Sequence, residues 1–142
     1  MTIDRNHEEG LSRLIGDLET HLPPAHLKQA VLSRIEMEPA RVETNREGAI
    51  ISVNPAFTGL CGYEFSEIKG RKPGSFLQGK KTDPKTTAIL RETVKTGKSC
   101  RVEIVNYHKD GSPYLVHIAV EPIHHNGEII GFRAEETKLP LA

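Results

Sequence analysis

The chain has 142 residues, with 19 basic and 19 acidic side chains, 37% apolar and 27% charged. That length suits one compact domain with its own core, and the balanced charge leaves no global field to draw the chain onto nucleic acid or an anionic membrane. No run approaches the roughly 18 apolar residues of a membrane span, and the charged start, residues 1–10, lacks the apolar stretch of a secretory signal.

Residues 8–36 read as helical. Leu11, Leu14, Ile15, Leu18 and Leu22 recur at helical spacing and make one apolar stripe. Pro23-Pro24 breaks that helix, and a second one carries Leu27, Ala30, Val31 and Ile35 until Glu38-Pro39 ends it. From about residue 40 the period changes. Strands over 41–44 and 49–53 flank the turn Asn45-Arg46-Glu47-Gly48. Asn54-Pro55 then caps a short helix through Leu60, and another follows at Ser66-Glu67-Ile68. Asp83-Pro84 opens a longer helix that Thr96-Gly97 closes. Strands over 100–108, 113–123 and 128–137 come last, joined by turns containing Asp110-Gly111 and Asn126-Gly127. The order predicts an α+β domain: a five-stranded antiparallel sheet, short helices on one face, and an N-terminal helical cap. The expected division is a cap or dimerisation segment over 1–38, a core domain over 39–138 and a tail over 139–142.

Cys61 and Cys100 lie far from any Cys-x-x-Cys spacing and read as two reduced thiols of a cytoplasmic protein. No Ser/His/Asp or Cys/His constellation, His-x-x-x-His spacing or phosphate loop singles out an enzyme.

Residues 40–138 carry, in order, Val53-Asn54-Pro55-Ala56-Phe57, Gly62-Tyr63, Ser66-Glu67-Ile68-Lys69-Gly70, Phe76-Leu77-Gln78-Gly79, Thr82-Asp83-Pro84, Val105-Asn106-Tyr107, Lys109-Asp110-Gly111, Glu121-Pro122-Ile123 and Gly131-Phe132. Taken together, this series resembles a PAS domain, and the Phe-Leu-Gln-Gly, Thr-Asp-Pro and Asn-Tyr elements are most similar to the LOV branch of flavin-binding blue-light receptors. The resemblance implies a sensory module. The LOV box reads Gly-Arg-Asn-Cys-Arg-Phe-Leu-Gln-Gly, and its thiol adds to the excited flavin. Here Gly70-Arg71 and Phe76-Leu77-Gln78-Gly79 are kept, but Lys72-Pro73-Gly74-Ser75 between them is one residue longer and has no sulfur. Adduct photochemistry is therefore not expected.

For the flavin itself, Asn106 and Gln78 match LOV binding positions. Against it, Val116 replaces the second ring asparagine, Arg133 falls where the last strand has glutamine, and the phosphate-binding arginines are missing from the box and from Ala88. These departures weigh against FMN or FAD. Haem is disfavoured too, because the long helix contains no histidine and His117, His124 and His125 read as facing away or as turn residues. The cofactor is thus left unassigned.

Period two carried through the last three strands places Val102, Ile104 and Asn106, then Val116, Ile118 and Val120, then Ile129 and Arg133, toward the helices. With Phe57, Leu60, Phe76 and Leu77 they would enclose an apolar pocket whose polar groups are Asn106, Gln78 and Arg133. Arg133 would pair with a ligand carboxylate or phosphate, or with an internal acid such as Glu135 or Glu121, or face solvent if the register is off by one. The opposite face would present Val105, Tyr107, Leu115, Ala119, Ile130, Phe132 and Ala134, to be covered by the N-terminal stripes of the same chain or of a second copy. The leading reading is a sensory signalling module that binds a small molecule or reports through dimer contacts, with a homodimer expected and a downstream signalling protein as a candidate partner. A cofactor-free interaction and dimerisation domain is the alternative.

Overall fold

The computed structural model describes residues 38–140. The chain divides at Glu38/Pro39, and the architecture below is that of the unit Pro39–Ala142. The expected leading helices, with Leu11, Leu14, Ile15, Leu18 and Leu22, lie outside the described residues.

The elements, in order, are β1 (Ala40–Asn45), β2 (Ile50–Val53), α1 (Pro55–Cys61), α2 (Phe65–Ile68), α3 (Gly74–Leu77), α4 (Pro84–Thr96), β3 (Cys100–Tyr107), β4 (Pro113–His125) and β5 (Glu128–Leu139). The strands form one sheet in the order β2-β1-β5-β4-β3, every neighbouring pair antiparallel. This is the expected α+β architecture with short helices. The last two strands run two residues further than the sequence suggested, and α3 was not anticipated.

Local chemistry explains the joints. Asn45 Oδ1 accepts from the Glu47 and Ala49 amides at 3.1 and 2.9 Å, closing the β1–β2 turn. Asn54 Oδ1 caps α1 through the Phe57 amide at 3.0 Å and also accepts from Arg41 N at 2.8 Å, so one side chain ties the helix start to β1. Gly62 ends α1 at φ 82°, and a Cβ there would lie 2.4 Å from the His108 ring; both the left-handed backbone and the space exclude other residues.

The stretch from Gly70 to Thr82 bridges the two sheet edges. At one end Ile50 and the Gly70-Arg71 backbone exchange hydrogen bonds of 2.9 Å beside β2. At the other, Thr82 Oγ1 donates to Val105 O at 2.7 Å and the Tyr107 hydroxyl accepts from Lys81 N at 2.8 Å beside β3. Both edge strands are thereby covered. Two apolar clusters fill the inner face. One joins Val42, Ile50, Phe57, Cys61, Ile68 and Leu77; the other joins Val102, Ile104, Tyr114, Val116 and Ile118; Leu60 and Ala134 touch both.

The register of β5 corrects the sequence reading. Ile123 pairs with Gly131, but His124 pairs with Ile129, leaving Ile130 as an extra residue. A bulge reverses the inward parity of everything beyond it. Past Ile130 the inner face takes Phe132, Ala134 and Glu136, and Arg133 turns to the outer face. Phe132, expected outside, is only 3% exposed. The outer face is consequently less apolar than expected: Leu115 and Val105 remain there as cross-strand partners, and Ile130 is 50% exposed. Toward β1 that face carries a charged ladder instead. Arg133 reaches Glu43 Oε2 at 3.1 Å and Glu121 at 3.7 Å, while Arg41 reaches Glu135 at 3.3 Å.

Candidate functional site

Between the sheet and the helices lies a cavity of about 580 Å³. Its floor is Val42, Thr44, Ile118, Val120, Phe132, Ala134, Glu136 and Asn106, and its walls come from Leu77, Gln78, Thr87, Leu90 and Val94. The exposed side chains of Glu47, Lys72, Ser75, Arg91 and Lys95 complete the lining at its solvent side. A mostly apolar hollow with few polar groups is the ordinary composition of a small-molecule site.

Arg46, in the β1–β2 turn, secures one wall. Its guanidinium donates to the carbonyls of Val94 and Lys95 at the end of α4 and lies 5.5 Å over the Phe132 ring. It satisfies helix-terminal acceptors while adding a cation–π contact.

Most interior polar groups are committed. Thr44 and Thr87 donate their hydroxyls to the carbonyls of Asn45 and Pro84, each at 2.9 Å. Asn106 is 3% exposed, opposite Tyr114 across the β3–β4 ladder. The Tyr114 hydroxyl has no partner, and neither has one oxygen of Glu136. Glu136 is 4% exposed, its cross-strand neighbours are Ala40 and Ile118, and its Oε1 is the atom without a hydrogen bond. Burial pushes its carboxyl up to about 7. An orphaned buried acceptor costs roughly 1–3 kcal/mol. The Cys61 thiol and Tyr114 hydroxyl are raised too, by burial first and then by the nearby Glu136.

Of the residues proposed from sequence, Asn106, Gln78, Leu77, Ile118 and Val120 line this cavity. Phe57, Ile104 and Val116 are buried in the packed clusters beside it, and Leu60 lies between the two clusters. Phe76 turns to Tyr63, with ring centres 4.9 Å apart, and to the Arg71 guanidinium, also at 4.9 Å. Arg133 lies on the far side of the sheet, held by acids of its own chain. Sequence reasoning missed Glu136, Phe132 and Ala134, which the bulge brings inside. It also missed Val42 and Thr44, which alternation along β1 would have supplied. Neither Cys61 nor Cys100 lines the cavity. Among the described residues no cluster of His, Cys, Asp and Glu could hold a metal ion, and no helix is long and apolar enough to cross a membrane.

A five-stranded antiparallel sheet wrapped over short helices around one hollow is the PAS architecture. Residues 40–135 match the PAS domain family, and the chain belongs to it. A blue-light-activated histidine kinase of Brucella anthropi is 36% identical over 96 residues, which are 67% of this chain and 19% of that protein. The chain thus spans about a fifth of the length of the curated relatives it matches. Among solved structures, the LOV domain of the blue-light activated histidine kinase from Erythrobacter litoralis superposes with a TM-score of 0.68 at 25% identity, covering 72% of this chain and 97% of that one. The PAS domain of the fruit-fly ELK potassium channel shares the fold at 19% identity, with a TM-score of 0.69 and coverage of 78% and 95%.

Proposed function

We propose that this chain is a sensory signalling module that holds a small molecule in the cavity between sheet and helices and reports its presence without cysteine-adduct photochemistry. The observation that carries the reading is the hollow of about 580 Å³ with apolar walls in a PAS domain. The relatives are blue-light-activated histidine kinases, which fits a sensory input role for the segment they share with this chain. The sulfur-free box and the position of both thiols outside the lining support the absence of an adduct.

A flavin fits this lining poorly. The resemblance puts a ring asparagine where Val116 is fully buried in the core and a glutamine where Arg133 faces outward. An unpaired carboxyl is present in the lining as well. The wider proposal retains a cytoplasmic homodimer, residues 1–38 as the cap or dimerisation segment, and a downstream signalling partner. A second reading, a cofactor-free interaction and dimerisation domain, is favoured by the exposed Ile51 and Ile130.

One measurement separates the two. Freshly purified protein is scanned from the near ultraviolet to the red, and the supernatant after denaturation is analysed by mass spectrometry. A released small molecule supports the ligand-binding module; a colourless protein releasing nothing supports the interaction domain.

A further inference from the structure

We propose that the cavity selects ligands carrying a basic nitrogen, whose N–H group is seated on the carboxylate of Glu136. This rests on the ligand-binding reading above and deepens it. Glu136 lines the hollow, is 4% exposed, and has an acceptor atom to which nothing in the protein donates. Without a partner the buried carboxyl keeps its proton; ionised, it needs a donor and a counter-charge, and a basic nitrogen on a ligand would supply both.

No group that faces Glu136 brings a counter-charge, and none donates to its Oε1. Cys61 from α1 and Tyr114 from β4 interact with it electrostatically and carry no positive charge; the Tyr114 hydroxyl is itself buried without a hydrogen-bond partner. Of the adjacent residues of the same parity on β5 and its neighbours, Ala134, Ala40 and Ile118 are apolar, and Lys138, two residues beyond Glu136 and paired with Val116, is exposed and outside the cavity lining. The cations of the lining, Lys72, Arg91 and Lys95, are exposed and form no ion pair with it. They outnumber the one exposed acid there, Glu47. A molecule with a basic nitrogen inside, an apolar body, and an acid at the solvent side therefore matches the cavity from floor to rim. A purely anionic ligand would set its charge against Glu136.

The test uses four probes of similar shape: 4-(aminomethyl)benzoate, benzylamine, benzyl alcohol and benzoate. Binding to the full chain is followed by ligand-observed NMR and calorimetry. The two amines are expected to bind at least tenfold more tightly than benzoate. Glu136→Gln, which keeps the shape, should lower amine affinity at least tenfold and leave benzyl alcohol unchanged. In the unsubstituted protein, amine affinity should also rise from pH 5 to pH 8, by up to about tenfold per unit below the carboxyl pKa, because only ionised Glu136 pairs with an ammonium group. That pH dependence tests the pairing even if the variant fails to fold. Amines binding no better than benzyl alcohol, or with a flat pH profile, would overturn the inference while the cavity reading survives. Failure of all four probes to bind would count against both.

Discussion

Two glutamates on neighbouring strands are buried to nearly the same degree and meet opposite fates. Glu43 of β1 is 1% exposed and Glu136 of β5 is 4% exposed. Glu43 accepts from Ser52 Oγ at 2.9 Å and from the Arg133 guanidinium at 3.1 Å. The Oε1 of Glu136 accepts from nothing, and burial raises its carboxyl to about 7. The first faces the outer side of the sheet, where charged rows meet; the second faces the cavity. Burial alone therefore does not decide what a carboxyl costs. The cross-strand neighbours do, through the counter-charge and donors they present.

The contrast is sharpest in its pH dependence. The folded carboxyl of Glu136 stands at about 7, above its ordinary value of 4.5, so the folded state holds the extra proton. Its contribution is fully present below about 4.5 and is lost as pH rises through 7. Between pH 5 and 8.5 the protein should lose roughly 2–3 kcal/mol of stability from this group, and Glu136→Gln should remove that loss. Urea melts across the range would show it; parallel pH profiles for both proteins would break the comparison.

Removing the partner of the other glutamate should convert it into the first kind. Arg133→Ala leaves Glu43 buried without its cation and is expected to cost about 2–3 kcal/mol, the lower end for a broken pair because Arg133 is 31% exposed. Probe affinity should not change, since Arg133 is on the far face. Ser52→Ala withdraws one neutral donor from Glu43 and should cost about 1 kcal/mol by chemical denaturation. Glu121→Ala should change stability by a few tenths of a kcal/mol at most, because that partner is 63% exposed and 3.7 Å from Arg133. A Glu121 effect equal to that of Ser52 would mean that burial is not what separates these contacts.

The amino-acid order by itself determined the architecture, because its signals are local. Asn54-Pro55 before an apolar turn makes a capped helix, Asp83-Pro84 with Gly97 delimits α4, and Asn126-Gly127 supplies the positive φ values, 51° and 79°, of a tight hairpin. Alternation along β3 and β4 likewise placed Asn106, Ile118 and Val120 inside. What only the tertiary structure decided was the inward set of β5. One additional residue at Ile130 reverses every side chain after it; the strand glycine Gly131 marks such a place but does not by itself say which residue is extra. Register is settled by pairing with strands distant in sequence, here β1 and β4, where Arg133 finds Glu43 and Glu121. The same shift leaves Glu136, rather than the arginine, facing the hollow.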